Sequence, residues 1–215
     1  MLGAIVVGCA LAAAATAGVV LARDSGTDDS GAQASLLAGG TAALDERTFL
    51  DLMIPHHEMA IQMARIAMRR SDDLAVQEVA RDVLAEQPWE VQLMERWRTA
   101  WFGIPENERQ TMSSADAAMM GMAADMGALR RAKPFAPTFY ADMIPHHAGA
   151  VVMAQRLLLG HPRPQLARLA RVILRTQSAQ IGVMERYREI AAGGGRATTR
   201  PPAPAAPAAP VTPAS

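Results

Sequence analysis

The sequence predicts an all-α protein, a four-helix bundle made of two repeated helical hairpins with an extra short helix in the linker between them. Three observations carry this. Apolar residues recur at intervals of three and four, as in Val76, Val79, Ala80, Val83 and Leu84, then Val91, Met94 and Trp97, which places one stripe of a helix against a core. No run shows the strict alternation of a strand bounded by turn residues. The chain also repeats itself without a gap at an offset of ninety residues: Phe49 aligns with Phe139, Met53-Ile54-Pro55-His56-His57 with Met143-Ile144-Pro145-His146-His147, and Met63-Ala64 with Met153-Ala154. The match continues through Ala80-Arg81 and Ala170-Arg171, Gln87 and Gln177, and Met94-Glu95-Arg96 and Met184-Glu185-Arg186. Each unit is thus a hairpin whose apolar face needs a partner, and the partner is its copy.

The elements follow in chain order. Leu2 to Ala22 is an uncharged, mostly apolar run of twenty-one residues, long enough for a bilayer core of roughly 30 Å. With small-residue sites at Ala15-Thr16-Ala17 and Val20-Leu21-Ala22, residues 1–22 read as a signal peptide or an N-terminal membrane anchor. Residues 23–44, rich in Gly, Ser, Thr, Asp and Ala, read as a flexible spacer. Asp45 is expected to cap a helix from Glu46 to Arg70, and Ser71 or Asp72 a second one running to Phe102, where Gly103 and Pro105 stop it. The linker from Pro105 to Pro134 is expected to hold one short methionine-rich helix around Met119-Met120-Gly121-Met122 and Met126. Phe135 to Leu159 forms the next helix, Gly160-His161-Pro162 a turn, and Pro164 to Ala192 the last. The repeats therefore span about 45–103 and 135–192 within a domain of 45–192, and residues 193–215 form a Pro/Ala-rich disordered tail.

Composition narrows the chemistry. Twenty arginines and one lysine balance twenty-one acids, and no basic stripe exists of the kind that phosphate backbones demand, so nucleic acid is not an expected partner. The single cysteine, Cys9, lies in the N-terminal run, which leaves the folded domain without disulfides, thiolate zinc sites or a thiol nucleophile. A domain of about 150 residues buries roughly 70% of its unfolded surface, so a metal is not needed merely to hold it together.

The repeats preserve histidine and methionine. On a helix, Met53, His56 and Met63 share a face, as do Met143, His146 and Met153. His57 and His147 point about 100° away from their neighbours. Pro55 and Pro145 either kink their helices by freeing the carbonyl four residues back or open them at the first turn; Ile54 is a poor cap, which favours the kink. Gln87, Glu90 and Met94, with Gln177, Gln180 and Met184, form polar and thioether stripes suited to facing the histidines. Thioether and neutral imidazole together suit Cu(I), and imidazole with carboxylate also accepts Cu(II). Against this stands the ordinary use of methionine as a core filler and of buried histidine as a hydrogen-bonded core residue.

Boxes of the form D-x-M-I-P-H-H followed by A-x-x-M-A, each leading to a helix with glutamine, methionine and an aromatic residue, resemble the domain of unknown function numbered 305. The resemblance covers about Asp45 to Ile190. It implies a ferritin-like fold in mostly exported bacterial proteins, some of them periplasmic copper-binding proteins linked to copper tolerance. It maps Asp51, Met53, His56, His57 and Met63 in the first box and Met143, His146, His147 and Met153 in the second. The second box departs from the first: Asp142 stands one place later than the equivalent of Asp51, Gly149 replaces Met59, and Gln180 replaces Glu90. Two equivalent sites and a single central or asymmetric site both remain open.

The expected function is binding of copper, as Cu(I) or Cu(II), for buffering, delivery or tolerance by an exported, periplasmic or otherwise extracytoplasmic protein. The expected ligands are drawn from His56, His57, His146, His147, Met53, Met63, Met143, Met153, Met94, Met184 and Asp51. A copper donor or acceptor protein, the membrane through an uncleaved N-terminal segment, and an oligomer are the partners this reading admits. No enzymatic activity is expected, because the chain has neither a Glu-x-x-His di-iron motif nor a nucleophile constellation. Affinity is expected to fall as pH drops through about 6.5, the unperturbed imidazole value. The rival reading is a structural or interaction module of the envelope whose histidines are hydrogen-bonded within the core.

Overall fold

The structure, a computed structural model, describes residues 42–109 and 112–192. The expected signal or anchor segment and the Pro/Ala-rich tail lie outside the described residues, as does all but the end of the spacer. Among the described residues there are six helices and no strand: α1 Glu46–Arg70, α2 Leu74–Phe102, α3 Ser114–Met119, α4 Met126–Arg131, α5 Phe135–Leu159 and α6 Pro164–Ala192. None of them is long and apolar enough to cross a membrane.

Local chemistry sets the ends. The Asp45 carboxylate accepts from the Thr48 backbone N–H at 2.9 Å and so satisfies one of the unpaired donors of the first turn of α1. α2 starts later than expected. Its cap is Asp73, which accepts from the Ala75 N–H at 2.9 Å, rather than Ser71 or Asp72. Ser71 instead closes α1, its N–H donating to the Ala67 carbonyl at 3.0 Å. Gly103 ends α2 in the left-handed conformation, with φ 70°. The linker holds two short helices where one was expected. At the end of α3 the Met122 N–H reaches the Ala117 carbonyl at 2.7 Å and the Gly121 N–H the Ala118 carbonyl at 3.1 Å, a Schellman termination with Gly121 at φ 71°. Met120-Gly121-Met122 is therefore a turn.

Packing is pairwise within the hairpins, α1 on α2 and α5 on α6, and the hairpins meet mainly through α1 and α5. The core divides in two. One cluster takes Leu50, Met53 and Ile54 from the first half of α1, Val91 and Met94 from the second half of α2, Met153 and Leu157 from the second half of α5, and Leu166 and Ile173 from the first half of α6. The other takes Met63 and Ile66 from α1, Val76 and Val79 from α2, Phe139 and Met143 from α5, and Met184 and Tyr187 from α6. Early α1 thus packs with late α5, and late α1 with early α5, so the two helices are antiparallel about a pseudo-two-fold axis. His56, His57, His146 and His147 fall between the two clusters along both helices. This is the duplicated four-helix bundle expected from the repeat.

Candidate metal centre

Pro55 and Pro145 lie well inside α1 and α5, so neither opens its helix, and the histidines after them are carried on the middle turns. All four imidazoles are fully buried. The ring centroids of His56 and His146 are 3.7 Å apart across the pseudo-axis, with the planes inclined at 35°. Adjacent histidines diverge as helical geometry requires: His56 and His57 are 6.2 Å apart, and so are His146 and His147. The inner pair faces the opposite hairpin. The outer pair faces the second helix of its own hairpin, His57 Nε2 lying 2.9 Å from Glu90 Oε2 and His147 Nε2 2.8 Å from Gln180 Oε1.

Hydrogen bonding separates the inner two. His56 Nε2 lies 3.0 Å from the carbonyl oxygen of Met120 in the linker turn. Neither nitrogen of His146 has a partner, and Nδ1 of His56, His57 and His147 has none either. Buried polar atoms are rarely left unpaired, so five unpaired nitrogens on four buried imidazoles are the unusual feature of this core. Gln87 and Gln177, pseudo-equivalent and buried, also keep unpaired amide oxygens.

The core is too dry for charge. Burial lowers the His56 pKa to about 3, helped by the neighbouring imidazole of His57; burial alone lowers His57 to about 3, and it lowers His147 to about 4. His146 is driven in the same direction, well below its ordinary value, by burial and then by His56. Glu90 is pushed the other way, up to about 8, because burial disfavours its carboxylate. The His57–Glu90 contact is then a neutral pair, a carboxyl facing an imidazole, rather than an ion pair. Glu86, one turn before Glu90 and accepting from the Gln180 amide at 3.2 Å, is raised to about 7 by burial and by Glu90. Such imidazoles stay neutral well below pH 6.5, the value at which the sequence placed the expected loss of metal affinity.

The methionines divide by pseudo-symmetry: Met53, Met94 and Met153 belong to one core cluster and Met143, Met184 and Met63 to the other, flanking the histidine layer on its two sides. Each set takes two residues from one repeat and one from the other. The Asp51 carboxylate pairs with Arg98 at 3.3 Å and Arg47 at 3.6 Å, and burial raises its pKa in spite of both. Among the described residues, no three His, Cys, Asp or Glu side chains stand together as a preformed metal cluster. One nitrogen of each outer histidine is engaged, by Glu90 or Gln180, and one of His56 by Met120, so that only His146 has both nitrogens unpaired.

Two contributors were not found from the sequence. Glu86 carried a signal, its spacing of four from Glu90 on a helix. The Met120 carbonyl carried none, because backbone groups are invisible to residue type. What the sequence did show is the replacement of Met59 by Gly149. A Cβ at Gly149 would lie 2.0 Å from the Met120 oxygen, and one at Gly121 would lie 2.2 Å from the Pro145 oxygen. The linker turn thus touches α5 backbone to backbone.

A duplicated hairpin bundle with an antiparallel histidine pair between two methionine-lined half-cores is the class of protein this geometry defines. The chain belongs to the family Domain of unknown function (DUF305), whose profile matches residues 46–188. Similar in structure is CopM, solved in apo, Cu(I)-, Cu(II)- and Ag-bound forms. Its Cu(II)-bound form is 32% identical, with a TM-score of 0.61 over 68% of this chain and 97% of that one. A DUF305 protein of Streptomyces coelicolor, assigned as secreted, is 25% identical with a TM-score of 0.58 over 73% of this chain and 98% of its own. The match to Uncharacterized protein L153 of Acanthamoeba polyphaga mimivirus is shorter, 36% identical over 53 residues, which are 25% of this chain and 35% of that protein.

Proposed function

We propose that the protein binds copper, as Cu(I) in the first place, at the His56–His146 pair with thioethers of the flanking methionines, and does so for buffering, delivery or tolerance without turning over a substrate. The observation that carries the reading is the pair itself: two buried imidazoles with ring centroids 3.7 Å apart, one of them with both nitrogens unpaired. Leaving a buried polar group unmatched costs about 1–3 kcal/mol, and a bound soft cation supplies the missing partner. A neutral imidazole is the form that coordinates, and burial keeps these imidazoles neutral. The likeness to CopM, solved with copper and silver, supports the choice of metal. The likeness to a protein assigned as secreted, together with the apolar N-terminal run, supports export, where a site free of cysteine escapes oxidation to disulfides.

The rival, a structural module, is favoured by the partners that three of the four histidines find within the bundle. Anaerobic Cu(I) titration against a competing chelator separates the two. The protein should bind copper, and His56→Ala with His146→Ala should abolish binding while retaining helicity. Equal affinity of the parent and the double variant would refute the copper reading in favour of the structural one.

A further inference from the structure

The linker turn reaches the candidate site through a main-chain carbonyl, while the Met120 side chain packs in the core cluster with Met53, Met94 and Met153. Met120 is the C-cap residue of α3, and its carbonyl lies 3.0 Å from His56 Nε2. A carbonyl oxygen accepts and cannot donate, so the proton of this hydrogen bond sits on His56 Nε2. A neutral imidazole carries one ring proton, which leaves Nδ1 with the lone pair, and that atom is buried without a partner. The turn is held where it is by two close backbone approaches. Gly121, at φ 71°, abuts Pro145, and Gly149 abuts Met120; a Cβ at either would overlap backbone atoms at 2.2 Å or less. The pseudo-equivalent of Gly149 is Met59, which carries a side chain, and a single linker joins the two hairpins. Among the described residues no second turn reaches His146, both of whose nitrogens are unpaired.

We infer that the Met120–Gly121 turn is a positioning element that selects the donor atom of His56: it fixes the Nε2-protonated tautomer, so His56 offers Nδ1 alone, and it makes the two histidine boxes chemically unequal. Gly149 and Gly121 are in the sequence to admit the turn. Departure of the second box from the first is thus a requirement of the site. The metal consequence rests on the copper reading above; the tautomer does not.

The test is long-range proton–nitrogen NMR of the histidine rings in the metal-free full chain at pH 7. His56 should show a protonated-type Nε2 and a bare-type Nδ1 as a single tautomer. Gly149→Ala should push the turn away and abolish that single-tautomer pattern, whereas Met120→Ala, which keeps the carbonyl, should preserve it. Gly182→Ala, where the added Cβ meets only the flexible end of Arg186 at 3.6 Å, controls for a methyl group added to a helix. On adding Cu(I), the bare Nδ1 of His56 should shift while Nε2 keeps its proton. A bare Nε2 on His56 in the parent protein overturns the inference even if copper binds, and so does a Gly149→Ala protein whose His56 pattern is unchanged. The parent spectrum decides the matter even if Gly149→Ala fails to fold. The stated tautomer in a protein that binds no Cu(I) would refute the copper reading and leave the positioning role standing.

Discussion

Arg98 is the largest fully buried side chain of the described residues, and it holds together segments that share no helix. Its guanidinium reaches Asp51 on α1 at 3.3 Å and the carbonyls of Pro105 and Glu108 after α2 at 2.9 and 2.5 Å. Such a group is held by its partners, and removing one partner leaves the other desolvated and unpaired. Arg98→Ala should therefore destabilise the protein by about 3–5 kcal/mol, because Asp51 would stay buried with only Arg47 beside it. Denaturant unfolding measures this, and a loss under about 1 kcal/mol, the range of exposed pairs, would mean that Asp51 reaches water once Arg98 is gone. The Asp51–Arg98 pair is not legible in the sequence, since the two lie forty-seven residues apart and no spacing rule links them.

Glu90 makes a second residue-scale case. With its pKa raised to about 8, against an ordinary value of 4.5, the folded protein holds a proton there that the unfolded chain releases. Stability from this group is full below pH 4.5 and is lost as pH rises through 8, by about 1.4 kcal/mol for each unit crossed within that window. Glu90→Gln keeps a polar group opposite His57 and removes the titration. Its stability should fall less steeply than the parent's between pH 6.5 and 8; parallel curves would show that Glu90 is ionised in the folded state.

At the scale of elements, helix ends were legible to within a few residues because caps are local chemistry. The miss at α2 is instructive. Ser71, Asp72 and Asp73 are all good capping residues, and the sequence gives no reason to prefer one. The structure prefers Asp73 because Ser71 is used to finish α1 and accepts from the Asp73 N–H at 3.2 Å. Asp73→Ala should cost about 1 kcal/mol, whereas Asp72→Ala, on an exposed side chain, should stay within about 0.5 kcal/mol. Equal losses in thermal unfolding would place the cap elsewhere. The linker was misread for a different reason. Methionine-rich, glycine-containing sequence has moderate helix propensity throughout, and the break at Gly121 is chosen by the contact of that turn with α5.

At the scale of the whole molecule, four buried neutral histidines oppose the buried carboxyl of Glu90 and the half-buried one of Glu86. Each of these four histidines has a folded pKa below its unfolded value of 6.5, so the unfolded chain binds the extra proton, and stability is complete above 6.5 and lost as pH falls, toward about 3 for His56 and His57 and about 4 for His147. Glu90 and Glu86 act in reverse, releasing their protons in the fold only near 8 and 7. The metal-free protein should be most stable near pH 6.5, with a steeper decline on the acid side, where four groups titrate. Urea unfolding across pH 4 to 8.5 tests this, and a maximum below pH 5 would show that the histidines are charged in the fold.

Much of this protein was determined by the sequence alone. Helical period, caps, stop signals and an ungapped ninety-residue repeat are all carried by side-chain identity and spacing, and they suffice for two hairpins, their pairing and the list of histidines and methionines. Only the tertiary structure decided how those residues divide. Antiparallel packing of α1 on α5 brings His56 to His146, sends His57 and His147 to Glu90 and Gln180, and splits the methionines between two half-cores. The asymmetry arises because one linker must cross a nearly symmetric bundle. Its carbonyl can satisfy one histidine of the central pair, and the other is left with two unpaired nitrogens.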